Sequence, residues 1–349
     1  MTSNAFLTHL LFGICLLLLS CSICWFMVRR VRIMDIPNER SSHHAPVPKA
    51  GGLAIVITFI VGVMALYLIA DKAMIGRKFF LGFVCPSILI ALVSFYDDLY
   101  DLSPLIRLIP QTICTIAVMM FGWIIHSINL PWIGWVQLGF WGYLITFIWV
   151  IGLTNAYNFM DGINGIAGGT AVIACLFFSI ICLTLNDNFT HIITYVLMAG
   201  ALGFLVFNFP KGRLFMGNVG SNFLGFVFAT LAILAALHDP ARTSFFVMPL
   251  LLFHFIYDTF FTFIRRLIRG ENVLSPHRSH LYQLFNQLGY SHTTVSAFYF
   301  AMGIAQGFSA WIISGTTGDN RAWVFVPYLM VQVIYSIIIT QKAKKANLI

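Results

Sequence analysis

The sequence predicts an all-α protein, a polytopic integral membrane bundle of about ten or eleven transmembrane helices with its N-terminus outside. Three observations carry that reading. Of the 349 residues, 59% are hydrophobic and 9% are charged, whereas soluble domains are about 45–50% apolar and about 25% charged. Apolar runs close to the roughly 20 residues that cross a bilayer recur along the whole length, with no polar stretch long enough for a separate soluble domain. The cations are also distributed unevenly about those runs.

Taken in order, the runs place helices near 5–28, 51–70, 79–96, 104–121, 139–157, 165–185, 190–208, 219–237, 243–264, 293–315 and 322–341. The first has no basic leader and exceeds the roughly 7–15 residues of a signal-peptide core, so it reads as a retained helix. Residues 122–138 ("GWIIHSINLPWIGWVQL") are Trp-rich, broken by Pro131, and are assigned to a membrane interface. All seven cysteines lie inside apolar runs, and Cys21 and Cys24 read as small buried hydrophobes rather than redox or metal groups.

With the N-terminus outside, every odd-numbered helix ends on the inner side. The outer loops then hold five cations, Lys72, Arg77, Lys78, Arg242 and Arg321, and the other fifteen of the 20 Lys and Arg face inward. That bias is the positive-inside rule. The formal net charge of +8 therefore speaks of orientation and anionic lipid, and nucleic acid is not implied.

This topology describes a single membrane domain over 1–349 with loaded inner loops at about 29–50, 97–103, 155–165, 209–221 and 265–292. Asp97, Asp98 and Asp101 lie within five positions in "SFYDDLYDLSP", out of 12 acidic residues in the chain. Two readings stand side by side. A solvated capping turn suits Asp101, which with Ser103-Pro104 looks like a helix start. A compensating hard divalent cation suits Asp97 and Asp98. The stretches "DGINGIAGG" and "MGNVGSNFLGF" lead from polar loops into apolar helices, where they serve either close helix packing or anion binding by backbone N–H groups. "SPHRSH" offers His277, Arg278 and His280; Arg265 and Arg266 read as a positive-inside flank. Carboxylates, amides, glycine-lined helix starts and an Arg/His loop on one face equip the protein for metal-assisted phosphoryl transfer. At a bilayer surface, one substrate is then a lipid phosphate and the other a soluble donor.

The same segments resemble the bacterial polyprenyl-phosphate N-acetylhexosamine-1-phosphate transferases, relatives of the phospho-MurNAc-pentapeptide translocase. The resemblance runs from "DIPNERSSHHAPVPKAGGLAI" through the Asp97-Asp98 pair, "NAYNFMDGINGIAGG" and "RLFMGNVGSNFLGF" to "SPHRSHLYQLFNQLGYSH", and looks most like the branch that initiates O-antigen. It implies a multi-pass protein of the bacterial inner membrane with its active site facing the cytoplasm. It implies transfer of a sugar-1-phosphate from a UDP-N-acetylhexosamine, or a deoxy derivative, to undecaprenyl phosphate, with release of UMP. The product would start lipopolysaccharide O-antigen or another envelope glycan. Mg2+ is the implied cofactor, with Mn2+ as the alternative, and a homodimer is compatible with it. Catalytic roles pass by position to Asp97, which orients or deprotonates the lipid phosphate, to Asp98, which organises metal and substrates, and to Asp161. Asn158 and Asn218 take the metal positions. Asn155, Asn164 (near the uracil), His277, Arg278, His280, Lys49 and Arg40 are the substrate contacts.

Two departures stand out. The family usually has aspartate where this chain has Asn218 and Asn164. Asn218 keeps a carbonyl oxygen but lacks the negative charge, so weaker metal affinity is expected. Asp258 is the one acid placed inside an apolar run, where it pairs with Arg265 or Arg266 or faces the cleft. A secondary transporter would show internal repeats and midplane charges, neither of which the sequence offers. A catalytically dead scaffold is the reading that Asn218 motivates.

Overall fold

The computed structural model describes residues 3–31, 33–37, 46–69, 76–130, 132–238, 245–273, 275, 277–315 and 321–349. Helix α1 (Ser3–Arg30) is followed by a minimal antiparallel pair, β1 (Met34–Asp35) and β2 (Val47–Pro48), and by α2 (Gly52–Ile69). The next span begins as α3 (Arg77–Phe79), passes through a π-helical turn (Phe80–Val84) and continues as α4 (Cys85–Tyr100). Helix α5 (Pro104–Met120) leads to a hairpin of β3 (Ser127–Leu130) and β4 (Gly134–Gln137). Then come α6 (Trp141–Phe159), α7 (Ile166–Thr184), α8 (Asn188–Asn208), α9 (Gly217–His238), α10 (Val247–Leu251) and α11 (Phe253–Ile268). A short α12 (Leu281–Gln287), α13 (His292–Ser314) and α14 (Phe325–Lys345) complete the chain.

Each of the eleven expected runs is helical over most of its described residues, the ninth in two pieces. Seven helices among the described residues are long and apolar enough to cross a membrane, while Gly52–Leu68 and Pro104–Met120 are shorter apolar helices. The protein is a polytopic helical membrane protein. Local signals set several ends. Ser103 precedes Pro104 at the first turn of α5, a position where the missing proline N–H costs nothing. Asp187 accepts the Thr190 N–H at 3.0 Å to cap α8, and Ser291 does the same for Thr294 in α13 at 3.1 Å.

Helix α9 is the axis of the bundle. Its apolar span is 94% buried, against 28% for α1 and 22% for α14. It packs on α4, α6 and α2, and small residues allow the close approach: a Cβ on Gly52 would lie 2.2 Å from the Gly220 Cα. The peripheral helices turn residues such as Leu92, Ile109, Val206 and Ile312 outward, as a lipid-facing surface requires.

Four expectations change. The 122–138 segment is a β-hairpin with Ser127 opposite Gln137; its Ile, Val and Trp suit a strand, and each arm is too short to span. Asp97 and Asp98 belong to the last turn of α4 rather than to a loop. Asp101 closes that helix in the left-handed region (φ 49°) instead of starting the next one, its N–H returning to the Asp97 carbonyl at 2.9 Å. The ninth run is interrupted at Leu252, and the inner loop after it carries the helix α12.

Candidate functional site

The site is built where α4 and α6 end and α9 begins. Successive helix positions are about 100° apart, so the adjacent Asp97 and Asp98, both buried, serve different neighbours. Asp97 Oδ1 accepts the Leu102 N–H at 2.8 Å and faces Arg107 Nε at 3.1 Å, while Oδ2 accepts from Asn218 Nδ2 at 2.7 Å. Asp98 accepts the Asn218 N–H on Oδ1 at 2.9 Å and the Val219 N–H on Oδ2 at 3.0 Å. It caps α9 with a charge that the helix dipole favours. Gly217 makes this approach feasible: its φ is +73°, and a Cβ there would stand 2.7 Å from Asp98 Oδ2. The Asn218 and Val219 N–H groups are therefore taken by Asp98, and of the two readings of this glycine-rich stretch the close packing is seen, Gly220 lying against Gly52.

Asn218 bridges the carboxylate to α6. Its Oδ1 accepts from Asn158 Nδ2 at 2.8 Å, and Asn158 Nδ2 also donates to Ser221 Oγ at 2.8 Å. Asn155, one turn earlier, pairs instead with Gln111 of α5, donating to Oε1 at 2.6 Å. Gln111 lines a narrow cleft with Asp97, Arg107 and Asn222. Asp161 follows just after α6 and is partly exposed. Burial, and then the charge of Asp98, hold its carboxyl well above the usual carboxylate range.

The donors at this point are hard oxygens: carboxylates from Asp97 and Asp161 and amide carbonyls from Asn158 and Asn218. Mg2+ typically takes one or two carboxylates and completes its shell with water and substrate phosphate, and the donor set fits that pattern. No group of three or more His, Cys, Asp or Glu able to hold a metal occurs among the described residues.

The neighbouring loops are tied into the same end of the bundle. The Phe215 N–H donates to the Pro48 carbonyl at 2.9 Å, and the Gly51 and Gly52 N–H groups donate to the Phe215 and Met216 carbonyls, each at 2.8 Å. This zipper sets Lys49 within electrostatic reach of Asp97 and Asp98. Arg40 lies outside the described residues. Asn164 donates to the Pro210 carbonyl at 3.2 Å. Asn208 joins the two glycine-rich stretches, accepting the Gly165 N–H at 2.6 Å and donating to the Leu214 carbonyl at 2.8 Å.

The HRxH segment arrives from the other side. The His280 ring stacks on Phe159 with centroids 5.8 Å apart and lies 4.9 Å from His277. Tyr282 donates its O–H to the Phe159 carbonyl at 2.9 Å. The Arg278 carbonyl accepts from Gln287 Nε2 at 2.7 Å. Burial, with His280, Arg266 and Arg265 nearby, pushes His277 down to about 3, so at neutral pH its imidazole is uncharged. Phe159 directly follows Asn158, and this places the HRxH segment next to the amide–carboxylate cluster. Asp97, Asp98, Asn158, Asp161, Asn218 and the His277–His280 loop thus form one neighbourhood around the end of α6.

Sequence reasoning missed several participants. Arg107 was counted among the inner cations without a partner, although a carboxylate one helix turn before a tight α4–α5 connection invites one. Gln111, Asn208 and Ser221 are ordinary polar residues that no local pattern marks. Asp258 pairs with neither Arg265 nor Arg266: its Oδ1 is 3.4 Å from His280 Nδ1. Arg266 is spent on the following loop, donating to Glu271 Oε2 at 2.7 Å and to the Asn272 carbonyl at 2.8 Å.

The chain matches the family model of glycosyl transferase family 4 over residues 80–236. It is 27% identical over 326 residues to a probable undecaprenyl-phosphate N-acetylglucosaminyl 1-phosphate transferase of Bacillus subtilis, covering 92% of this chain and 88% of that one. It is 30% identical over 301 residues to the decaprenyl-phosphate N-acetylglucosaminephosphotransferase of Mycobacterium tuberculosis, covering 77% of this chain and 72% of its relative. A phospho-N-acetylmuramoyl-pentapeptide-transferase of Leuconostoc mesenteroides is 34% identical over 132 residues, 37% of this chain and 41% of that one. Motifs, membrane architecture and relatives agree, and the chain belongs to glycosyl transferase family 4.

Proposed function

We propose that this protein transfers a sugar-1-phosphate from a UDP-N-acetylhexosamine, or a deoxy derivative, to undecaprenyl phosphate at the cytoplasmic face of the bacterial inner membrane. The observation that carries the reading is the meeting of Asp97, Asn158, Asp161 and Asn218 with the His277–His280 loop at one end of the bundle. The names of the relatives supply the substrate class. An oxygen of the lipid phosphate forms a bond to the β-phosphorus of the donor, and the bond from that phosphorus to the bridging oxygen breaks, with UMP leaving. A phosphate is already an oxyanion, so the protein's task is alignment and charge stabilisation. This favours direct in-line attack over a covalent aspartyl intermediate.

Asp97, anchored by Arg107 and Asn218, orients the nucleophile, and Lys49 offers a cation to the lipid headgroup. Arg278 and the two histidines meet the donor's phosphates and amino sugar, and Asn164 lies toward the base. Mg2+, or Mn2+, held by Asp97, Asn158 and Asn218 with Asp161 nearby, would neutralise charge developing on the pyrophosphate. The lipid-linked product would begin an O-antigen or related surface glycan. Membranes incubated with labelled UDP-N-acetylhexosamines, undecaprenyl phosphate and Mg2+ test the proposal. UMP release with label in the lipid supports it. No labelled lipid from any donor in a panel spanning the epimers and 6-deoxy forms would sink it.

A further inference from the structure

Asp258 is fully buried in α11 and has no part in the reaction as described above. An isolated buried carboxylate is costly unless it is hydrogen-bonded, and this one is saturated. It accepts the Leu281 N–H on Oδ1 at 2.8 Å, the Tyr282 N–H on Oδ2 at 3.0 Å and the Tyr299 O–H on Oδ2 at 2.7 Å. Thr262 Oγ1 donates from one turn along the same helix at 3.3 Å, and His280 Nδ1 stands 3.4 Å away. Three of these five partners are the consecutive residues His280, Leu281 and Tyr282. They are the hinge by which the HRxH segment reaches α6, through the His280 ring on Phe159 and the Tyr282 O–H on the Phe159 carbonyl.

With Nδ1 turned toward Asp258, Nε2 is the ring nitrogen of His280 left for a ligand. Gln283 Oε1 accepts the His280 N–H at 3.2 Å and fixes the backbone at the same residue. Asp258 therefore anchors the C-terminal end of the loop that carries His277 and Arg278, beside the Arg265 guanidinium on the Ser279 carbonyl and the Gln287 amide on the Arg278 carbonyl.

We propose that Asp258 is a positioning residue for the nucleotide end of the site: through His280, Leu281 and Tyr282 it holds the His277–His280 loop in register with the end of α6. This rests on the reading that the loop meets the donor's phosphates. It assigns Asp258 no contact with substrate.

The test uses the full-length protein in detergent, with UDP as the binding probe and undecaprenyl phosphate as the second substrate. Asp258→Asn keeps the shape but can accept only one of the two backbone donors. Because a charged hydrogen bond carries roughly a tenfold effect or more, the UDP Kd should rise by about tenfold. The KM for undecaprenyl phosphate should stay within about twofold. His280→Ala should weaken UDP binding as well, and the double variant should bind no worse than the weaker single, because both changes release one loop. An unchanged UDP Kd in Asp258→Asn overturns the inference, as do effects that multiply in the double variant or a loss shared equally by both substrates. If Asp258→Asn does not fold, Tyr299→Phe decides. It removes one donor from Asp258 without touching α12, and it should raise the UDP Kd by about threefold where an unchanged value refutes the inference. Absence of UDP binding by the wild type would strike the parent reading itself, whereas wild-type binding with an indifferent Asp258→Asn strikes only this proposal.

Discussion

Asp98 and Asp258 each lay both carboxylate oxygens on two consecutive backbone N–H groups at a helix start, Asp98 on Asn218 and Val219 of α9 and Asp258 on Leu281 and Tyr282 of α12. What differs is the electrostatic company. Asp98 stands beside Asp97 and within electrostatic reach of Asp161, so carboxyl groups crowd there, with Arg107 and Lys49 as nearby cations. Asp258 has His280 and the Tyr299 hydroxyl around it, and its charge is answered within the fold. The same capping device thus leaves one end of the molecule with a cluster of carboxyl and amide oxygens that a cation can engage, and the other with a locked loop.

The largest expected effect falls on the first cap. Asp98→Asn gives up one backbone acceptor and shifts the start of α9, carrying Asn218 away from Asp97. Misplacement of about 1 Å can cost roughly 10²-fold in rate, and kcat should fall by about that factor. Gly217→Ala should do the same without altering any charge, since its Cβ would meet Asp98 Oδ2 at 2.7 Å. Steady-state turnover of either variant within a few-fold of wild type would show that the cap does not set the geometry of the cluster.

Asn218→Asp sharpens the contrast by adding a carboxylate beside Asp97. The 2.7 Å hydrogen bond from Nδ2 to Asp97 becomes a contact between two carboxylates. Losing a hydrogen bond to a charged group costs about 1.5–3 kcal/mol. In EDTA the variant should melt below wild type, and Mg2+ should restore it, with a larger rise in Tm than wild type shows. The Mg2+ concentration for half-maximal activity should fall as well. Equal Mg2+ responses in the two proteins would remove Asn218 from the ion's neighbourhood.

How much of this could be read from the chain depends on how local each cause is. The eleven apolar runs follow from composition and length, and all are helices. The crowding of Asp97, Asp98 and Asp101 was visible because they are adjacent in sequence. The partners of Asp98 lie about 120 positions away and are backbone N–H groups, which leave no residue signature. Asp258 looked anomalous but not interpretable, because its partners 23 and 24 residues on are again main-chain donors. The β3–β4 hairpin was read as an interface segment because two four-residue arms are too short for alternation to separate strand from loop. Asn208 joins two loops through side-chain amide contacts that only the fold brings within reach.

A smaller effect tests the link between the loop held by Asp258 and the Asp97–Asn158–Asn218 cluster. Tyr282→Phe removes the O–H donated to the Phe159 carbonyl, the contact that fastens α12 to the end of α6. A hydrogen bond of this kind contributes about 0.5–1.5 kcal/mol, and the Tm should drop accordingly while the rate falls modestly. Gly162→Ala should be worse, because its Cβ would lie 2.1 Å from the Tyr282 hydroxyl oxygen. If Tyr282→Phe were neutral in both stability and turnover, the two regions would be joined through the His280–Phe159 stack alone.

The smallest effect concerns pH. His277 sits among Arg265, Arg266 and His280, with Glu271 the opposing charge, and burial is the leading cause that lowers its imidazole from 6.5 to about 3. Between those values the unfolded chain binds a proton that the folded one refuses, so stability rises with pH across the window and is lost as pH falls from about 6.5 toward 3. Above about 6.5 the group contributes no slope. The ring is only half-buried, and solvent screening keeps its share modest. Melting temperatures at pH 7.5, 6, 5 and 4 should decline less steeply in His277→Gln than in wild type, with the two curves converging at the alkaline end. Parallel curves would mean that the cations around the HRxH loop are solvated well enough to leave His277 an ordinary histidine.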